Sequence, residues 1–279
     1  MSFKKYATIV LLASLTSSTP NPDYEPIHSK INPKRLTTQI SQQLAKHREI
    51  KPTTLLKQLL EKQIPAQDIN GLKYTRQKHE NNTYHIIQLN KDSDFNINIT
   101  STNTPKYLDE LVRENEEIIA GINGSFFEDG RIIGLVKTKG DVINPNSRIR
   151  GSGYFTVQNG QTQILRELCD TTKYDEILQS HPMLLQDGDV MQVENGKRSY
   201  RSAIAEDAKG NTYLIITDTH PLRRNRVKLN EFAEFLESQK YTKALNLDGG
   251  KSAQAHFNNY NVRNHRRINN AITISRRNK

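Results

Sequence analysis

At 279 residues the chain can bury one full-sized core with an appendage, and its single cysteine, Cys169, excludes an intramolecular disulfide framework. Forty Lys and Arg against 30 Asp and Glu give a formal net charge of +10. That excess suits polyanionic surroundings, an acidic polysaccharide or anionic lipid, but no recognition motif or aromatic interleaving points to nucleic acid, which is not an expected partner.

Taken in order, the chain opens with Lys4 and Lys5, then an apolar run from Ala7 to Leu15, then small residues up to Thr19. This is the composition of an export signal, here 1–19. The run is shorter than the ~20 residues that span a bilayer, so no integral span is expected in the mature form. A buried first helix is the alternative. Export with one thiol suits the periplasm or the cell exterior. Residues 20–70 read as a linker and a short helical segment: Pro20, Pro22, Pro26 and Pro33 come first, then Leu36, Ile40 and Leu44 at helical spacing, then Leu55 to Leu60 between Pro52 and Pro65.

From Gly71 the pattern changes, and 71–279 reads as the catalytic domain. Strands are expected at Tyr84 to Leu89, through Phe95, Ile97 and Ile99, and at Ile118 to Ile122, the last preceded by a helix over Tyr107 to Glu117. Further strands are expected near Arg131 to Lys137, Tyr154 to Gln158, Met183 to Gln186, Tyr213 to Thr217, Ala244 to Leu247 and Ile268 to Ser275. A late helix over Leu229 to Gln239 carries Leu229, Phe232, Ala233 and Leu236 as one apolar stripe. Many strands, few helices and short connections predict an α+β fold, with mixed or antiparallel sheets, a few packed helices and a small helical N-terminal segment before them.

Two motifs carry chemistry. In Gly121-Ile122-Asn123-Gly124-Ser125-Phe126-Phe127 a buried strand breaks into a turn bearing an amide. In Ala244-Leu245-Asn246-Leu247-Asp248-Gly249-Gly250-Lys251-Ser252 a strand delivers a carboxylate followed by two glycines. Glycines after a strand-end acid permit close backbone approach and can turn N–H groups toward an anion. By itself Asp-Gly-Gly is an ordinary turn, and Asn123 an ordinary turn cap. Between the motifs stand Gln179-Ser180-His181-Pro182-Met183-Leu184-Leu185-Gln186-Asp187-Gly188, Arg201-Ser202-Ala203-Ile204-Ala205 and Tyr213 to Asp218, and near the end Arg266-Arg267-Ile268-Asn269-Asn270-Ala271-Ile272.

This ordered series, over about Ile118 to Ser275, resembles the phosphodiester glycosidase family. The resemblance implies hydrolysis of a sugar-1-phosphodiester in a phosphosugar or polysaccharide. Phosphate monoesters leave without strong protonation, so a full pair of catalytic carboxylates is not required. The site residues it implies are Asp248 as base or nucleophile, Arg201 as a forked phosphate clamp, and Asn123 on sugar hydroxyls or phosphate. Gly124, His181, Asp218, Gly249, Gly250, Lys251 and Ser252 would complete substrate binding. No zinc spacing occurs; calcium or magnesium on Asp248 or Asp218 is the metal chemistry these acids allow. The chain departs from the family at Ser125 and Ala205, and chiefly at Lys251, where the family carries a small residue or proline. If Lys251 blocks turnover, the alternative is a non-catalytic phosphosugar- or glycan-binding protein on the same fold.

Overall fold

The computed structural model describes residues 67–145, 152–194, 196–219, 225–258 and 260–277. The export signal, the linker and the helical pair lie outside them, as does His220. A compact unit runs from Ala66 to Lys279, and among its described residues no helix is long and apolar enough to cross a membrane. Its described residues are more β-rich than α+β: among them twenty strands accompany two α-helices, α1 (Leu108–Glu114) and α2 (Leu229–Ser238), and a 3-10 turn at Gly250–Ser252.

The strands form three large sheets and a two-stranded ribbon. In the eight-stranded sheet, Asn82–Leu89, Thr212–Thr217, Ser202–Asp207, Tyr241–Asn246 and Met183–Gln186 lie side by side, all antiparallel. One five-stranded sheet sets Ile118–Asn123 between Ala255–Phe257 and Ile268–Arg276. The other places Glu176–Ser180 between Gly153–Gln158 and Val136–Thr138. Several hairpins turn on two residues; Asn70-Gly71 and Asn159-Gly160 have φ of 50° and 91°, and 49° and 75°, the left-handed backbone that a tight hairpin matched to strand twist requires.

The stripe read on α2 packs on the large sheet. Phe232, Ala233, Phe235 and Leu236 are fully buried with Ala203, Ala205, Ile215 and Ala244. Tyr84 lies flat on Phe235, 3.7 Å between ring centres. The small side chains at 203, 205 and 244 let the helix approach. Two expectations are corrected here. Helix α1 ends at Glu114, because the Asn115 N–H turns back to the Val112 carbonyl (3.1 Å) and the Asn115 carbonyl accepts the Ile118 N–H (2.9 Å). The strand expected from Arg131 to Lys137 is two strands in different sheets, broken at Gly134, whose φ is +93° and whose backbone lies against the Gln179 carbonyl.

Candidate active site

Three strand ends meet at the site. Ile118–Asn123 delivers Asn123, Tyr241–Asn246 leads through Leu247 to Asp248, and Arg201 stands just before Ser202–Asp207. Asn123 is fully buried and ties them together. Its Nδ2 donates to the carbonyls of Asp248 (2.5 Å) and Gly124 (3.4 Å), and its Oδ1 accepts from the Ser202 hydroxyl (2.9 Å) and the Gln254 N–H (3.0 Å). With both ends of the amide engaged, it positions Asp248 and offers nothing to a ligand, a correction to the expected sugar or phosphate contact.

The glycine turn is also spent internally. Gly250 N–H donates to the Tyr200 carbonyl (2.8 Å), and Gly249 N–H points at the Asp248 carboxyl. These are not the anion-facing donors expected from the sequence. What the glycines supply is closeness. A Cβ on Gly249 would lie 2.6 Å from the Tyr200 carbonyl oxygen, a backbone atom that cannot step aside cheaply. Gly249→Ala is therefore expected to lower both thermal midpoint and turnover, whereas Gly196→Ala, with nothing near its Cβ, stays within about 0.5 kcal/mol of wild type in urea unfolding. Equal behaviour of the two variants would refute the close-approach account.

Ser252 is buried, and its hydroxyl serves the Asp248 carboxyl rather than a phosphate. Asp248 is nine-tenths buried, and its Oδ2 makes no hydrogen bond. Burial pushes its carboxyl above the ordinary carboxylate range; the Ser252 hydroxyl, the Arg266 charge and the Gly249 N–H pull the other way.

Around Asp248 the contacts close into a ring. Asp248 N–H donates to the Gly124 carbonyl (3.0 Å), Gly124 N–H to the Asn270 carbonyl (2.9 Å), and Ser125 N–H to Asn270 Oδ1 (2.7 Å). A Cβ on Gly124 would fall 1.9 Å from that same Oδ1. The Phe126 ring stacks on His181 at 4.5 Å, and Asn246, two residues before Asp248, donates to the His181 carbonyl (2.8 Å). Three buried polar atoms on this ring lack a hydrogen-bond partner, Asp248 Oδ2, Asn246 Oδ1 and Asn270 Nδ2, as does Ser180 Oγ on the residue before His181. Asn246, Asn270, Ser180 and Phe126 are residues that sequence reasoning quoted within motifs without assigning them a part. The signal available was their place in those motifs.

Arg201 is half-buried. Its Nε and Nη2 donate to the carbonyls of Val227 (3.3 Å) and Lys197 (2.9 Å), and no carboxylate pairs with it among the described residues. Burial pulls its pKa below the ordinary arginine value. Lys251 is exposed at the rim. His181 is half-buried, and burial lowers its pKa.

Asp218 departs from expectation. It is buried, with Oδ2 3.8 Å from Arg76 Nη2 and 3.7 Å from His85 Nε2, and Tyr74 Oη is 2.6 Å from His85 Nδ1. A carboxylate committed to a buried arginine is a poor metal ligand, and it holds Arg76, not Arg201. Among the described residues no three His, Cys, Asp or Glu side chains gather to hold a metal ion. Elsewhere His256 is held by Asn261 Oδ1 (2.6 Å), Arg267 faces Glu110, and Glu128 and Asp129 are exposed.

Fold and site together define an antiparallel β protein with a strand-end carboxylate held beside a glycine turn. Residues 116–275 match the sequence profile of the phosphodiester glycosidase family, and the chain belongs to that family. Its fold is shared with a hypothetical protein from Synechocystis (TM-score 0.58, 15% identity, covering 77% of this chain). This chain spans 64% of that protein's length. It is shared also with the catalytic domain of zebrafish N-acetylglucosamine-1-phosphodiester alpha-N-acetylglucosaminidase, auto-inhibited by its pro-peptide (TM-score 0.57, 18% identity, covering 73% of this chain and 82% of that one). A search of curated protein sequences returns no significant match.

Proposed function

We propose that the protein hydrolyses a sugar-1-phosphodiester, cleaving between the anomeric carbon and the phosphate oxygen, on an envelope or exported polysaccharide. The observation that carries this reading is the Asp248 Oδ2: a buried carboxylate oxygen without a hydrogen-bond partner, on a ring that holds two more unpaired polar atoms. Each unpaired buried polar group costs about 1–3 kcal/mol, a cost that a hydroxyl-rich ligand relieves. Asn246, Asn270 and Ser180 take the sugar hydroxyls, with the Phe126–His181 stack as an apolar wall. Asp248 faces the anomeric carbon as base toward water or as nucleophile. Arg201, with two carbonyls on its fork and no acid, takes the phosphate. The zebrafish enzyme's name, which specifies a sugar-1-phosphodiester, supports the substrate class. The signal-like composition of residues 1–19 supports a reaction in the periplasm or outside the cell.

The test is release of reducing sugar from a panel of sugar-1-phosphodiesters. Arg201→Ala is expected to raise KM at least about tenfold, the worth of a charge-assisted fork of about 1.5–3 kcal/mol, with partial rescue by Arg201→Lys. An unchanged KM in Arg201→Ala would remove the phosphate assignment, and no release from any panel member would remove the reaction.

A further inference from the structure

The cations of the glycine turn and of the segment 263–267 are of two kinds. Arg263 and Arg267 lie over the Tyr107 ring, at 4.0 and 5.2 Å from its centre, and face the acids of α1. Arg263 Nη1 is 3.5 Å from Asp109 Oδ2, and Arg267 Nη2 is 3.5 Å from Glu110 Oε1. Their charge is balanced within the fold.

Lys251 and Arg266 are exposed, and neither forms an ion pair among the described residues. Their backbones lie side by side, the Arg266 N–H donating to the Lys251 carbonyl (3.0 Å). The Arg266 guanidinium lies 4.3 Å from the centre of the Phe127 ring, which limits where it can swing. Its charge reaches Asp248. Arg201 follows Tyr200, whose carbonyl holds Gly250. All three cations therefore border the Asp248-Gly249-Gly250 turn: Arg201 follows its Tyr200 anchor, Lys251 follows Gly250, and Arg266 pairs with Lys251 through the backbone.

One phosphodiester carries one negative charge, which Arg201 balances. Lys251 and Arg266 remain, two exposed like charges on paired backbone that a second anion would balance. We infer that the substrate is an anionic glycan polymer, in which the sugar-1-phosphodiester being cut is followed, on the phosphate side, by a further anionic group bound between Lys251 and Arg266. The inference rests on the phosphodiester reading above. It assigns the family departure at Lys251 to substrate selection rather than to loss of turnover.

Two synthetic substrates separate the possibilities: a sugar-1-phosphodiester of a neutral alcohol, and the same diester whose aglycone carries a second phosphodiester. At low salt the doubly charged substrate is expected to show about tenfold higher kcat/KM. The advantage should fall as salt rises and the Debye length shrinks below about 10 Å. Lys251→Glu should lower kcat/KM at least about tenfold more for the doubly charged substrate than for the neutral one. Equal losses on both would mean that Lys251 serves the departing phosphate itself, and would overturn the inference; equal kcat/KM for the two substrates in the wild type would do the same. If neither is hydrolysed, the reaction assigned above fails, and calorimetric binding of the same two compounds decides the inference separately. Tighter, salt-sensitive, Lys251-dependent binding of the doubly charged compound upholds it, and equal or absent binding sinks it.

Discussion

Asp248→Asn is expected to lose about 10²- to 10⁴-fold in kcat on any sugar-1-phosphodiester that the wild type turns over, and to unfold at a higher temperature than the wild type at neutral pH. Both effects have one cause. Burial raises the Asp248 carboxyl pKa, only partly opposed by the Ser252 hydroxyl, the Arg266 charge and the Gly249 N–H. The folded protein thus holds this proton more tightly than the unfolded chain does, so stability falls as pH rises from the ordinary aspartate value of about 3.9 through the folded-state pKa. Above that folded-state pKa the fold carries a buried charge with an unpartnered oxygen; asparagine keeps the shape without the charge. The gap in thermal midpoint should close as pH is lowered to the ordinary aspartate range, where both side chains are neutral. The same ionisation should appear in the rate, with an acid limb of kcat/KM centred above that range. Thermal scans at several pH values and initial rates on one substrate check all three effects. A variant that retains wild-type kcat would remove Asp248 from the chemistry.

Asn123→Ala is expected to cost on the order of 3–5 kcal/mol in urea unfolding, because it leaves the Ser202 hydroxyl, the Gln254 N–H and the Asp248 carbonyl without their partner in a fully buried place. Against a typical total of about 5–15 kcal/mol, that makes the fold marginal. Ser202→Ala takes away one of the four bonds and should cost about 1 kcal/mol, which keeps the argument measurable if the alanine variant does not fold. In variants that fold, kcat should fall with little change in KM, since Asn123 holds the backbone of Asp248 and touches no substrate. A raised KM at unchanged stability would mean that the amide contacts the ligand after all.

Much of this protein was legible along the chain. The apolar stripe of Leu229 to Leu236, the alternation through Phe95, Ile97 and Ile99, and the strand running into Asn123 depend on local periodicity, and periodicity survives folding. The ordered motifs from Ile118 to Ser275 marked the family and put Asp248 at a strand end; Arg201 was named as a site residue without the strand Ser202–Asp207 that follows it. The Glu176–Ser180 strand, by contrast, was not legible. Its Glu176, Gln179 and Ser180 look like loop residues, yet all five positions are buried. Glu176 is accepted there because its carboxyl receives the N–H groups of Ile99 (3.0 Å) and Lys139 (3.1 Å), and Gln179 because it receives that of Leu135 (2.8 Å).

The same reason divides the site. The sequence by itself determined which residue types stand at the strand ends and that glycines follow the acid. Only the tertiary structure decided what they do. The Gly250 N–H and both ends of the Asn123 amide find partners distant in sequence, while Asp218 turns to Arg76 and His85. A buried polar group takes whichever partner the fold brings within hydrogen-bonding distance. That partner is set by how the sheets pack, which no local pattern encodes.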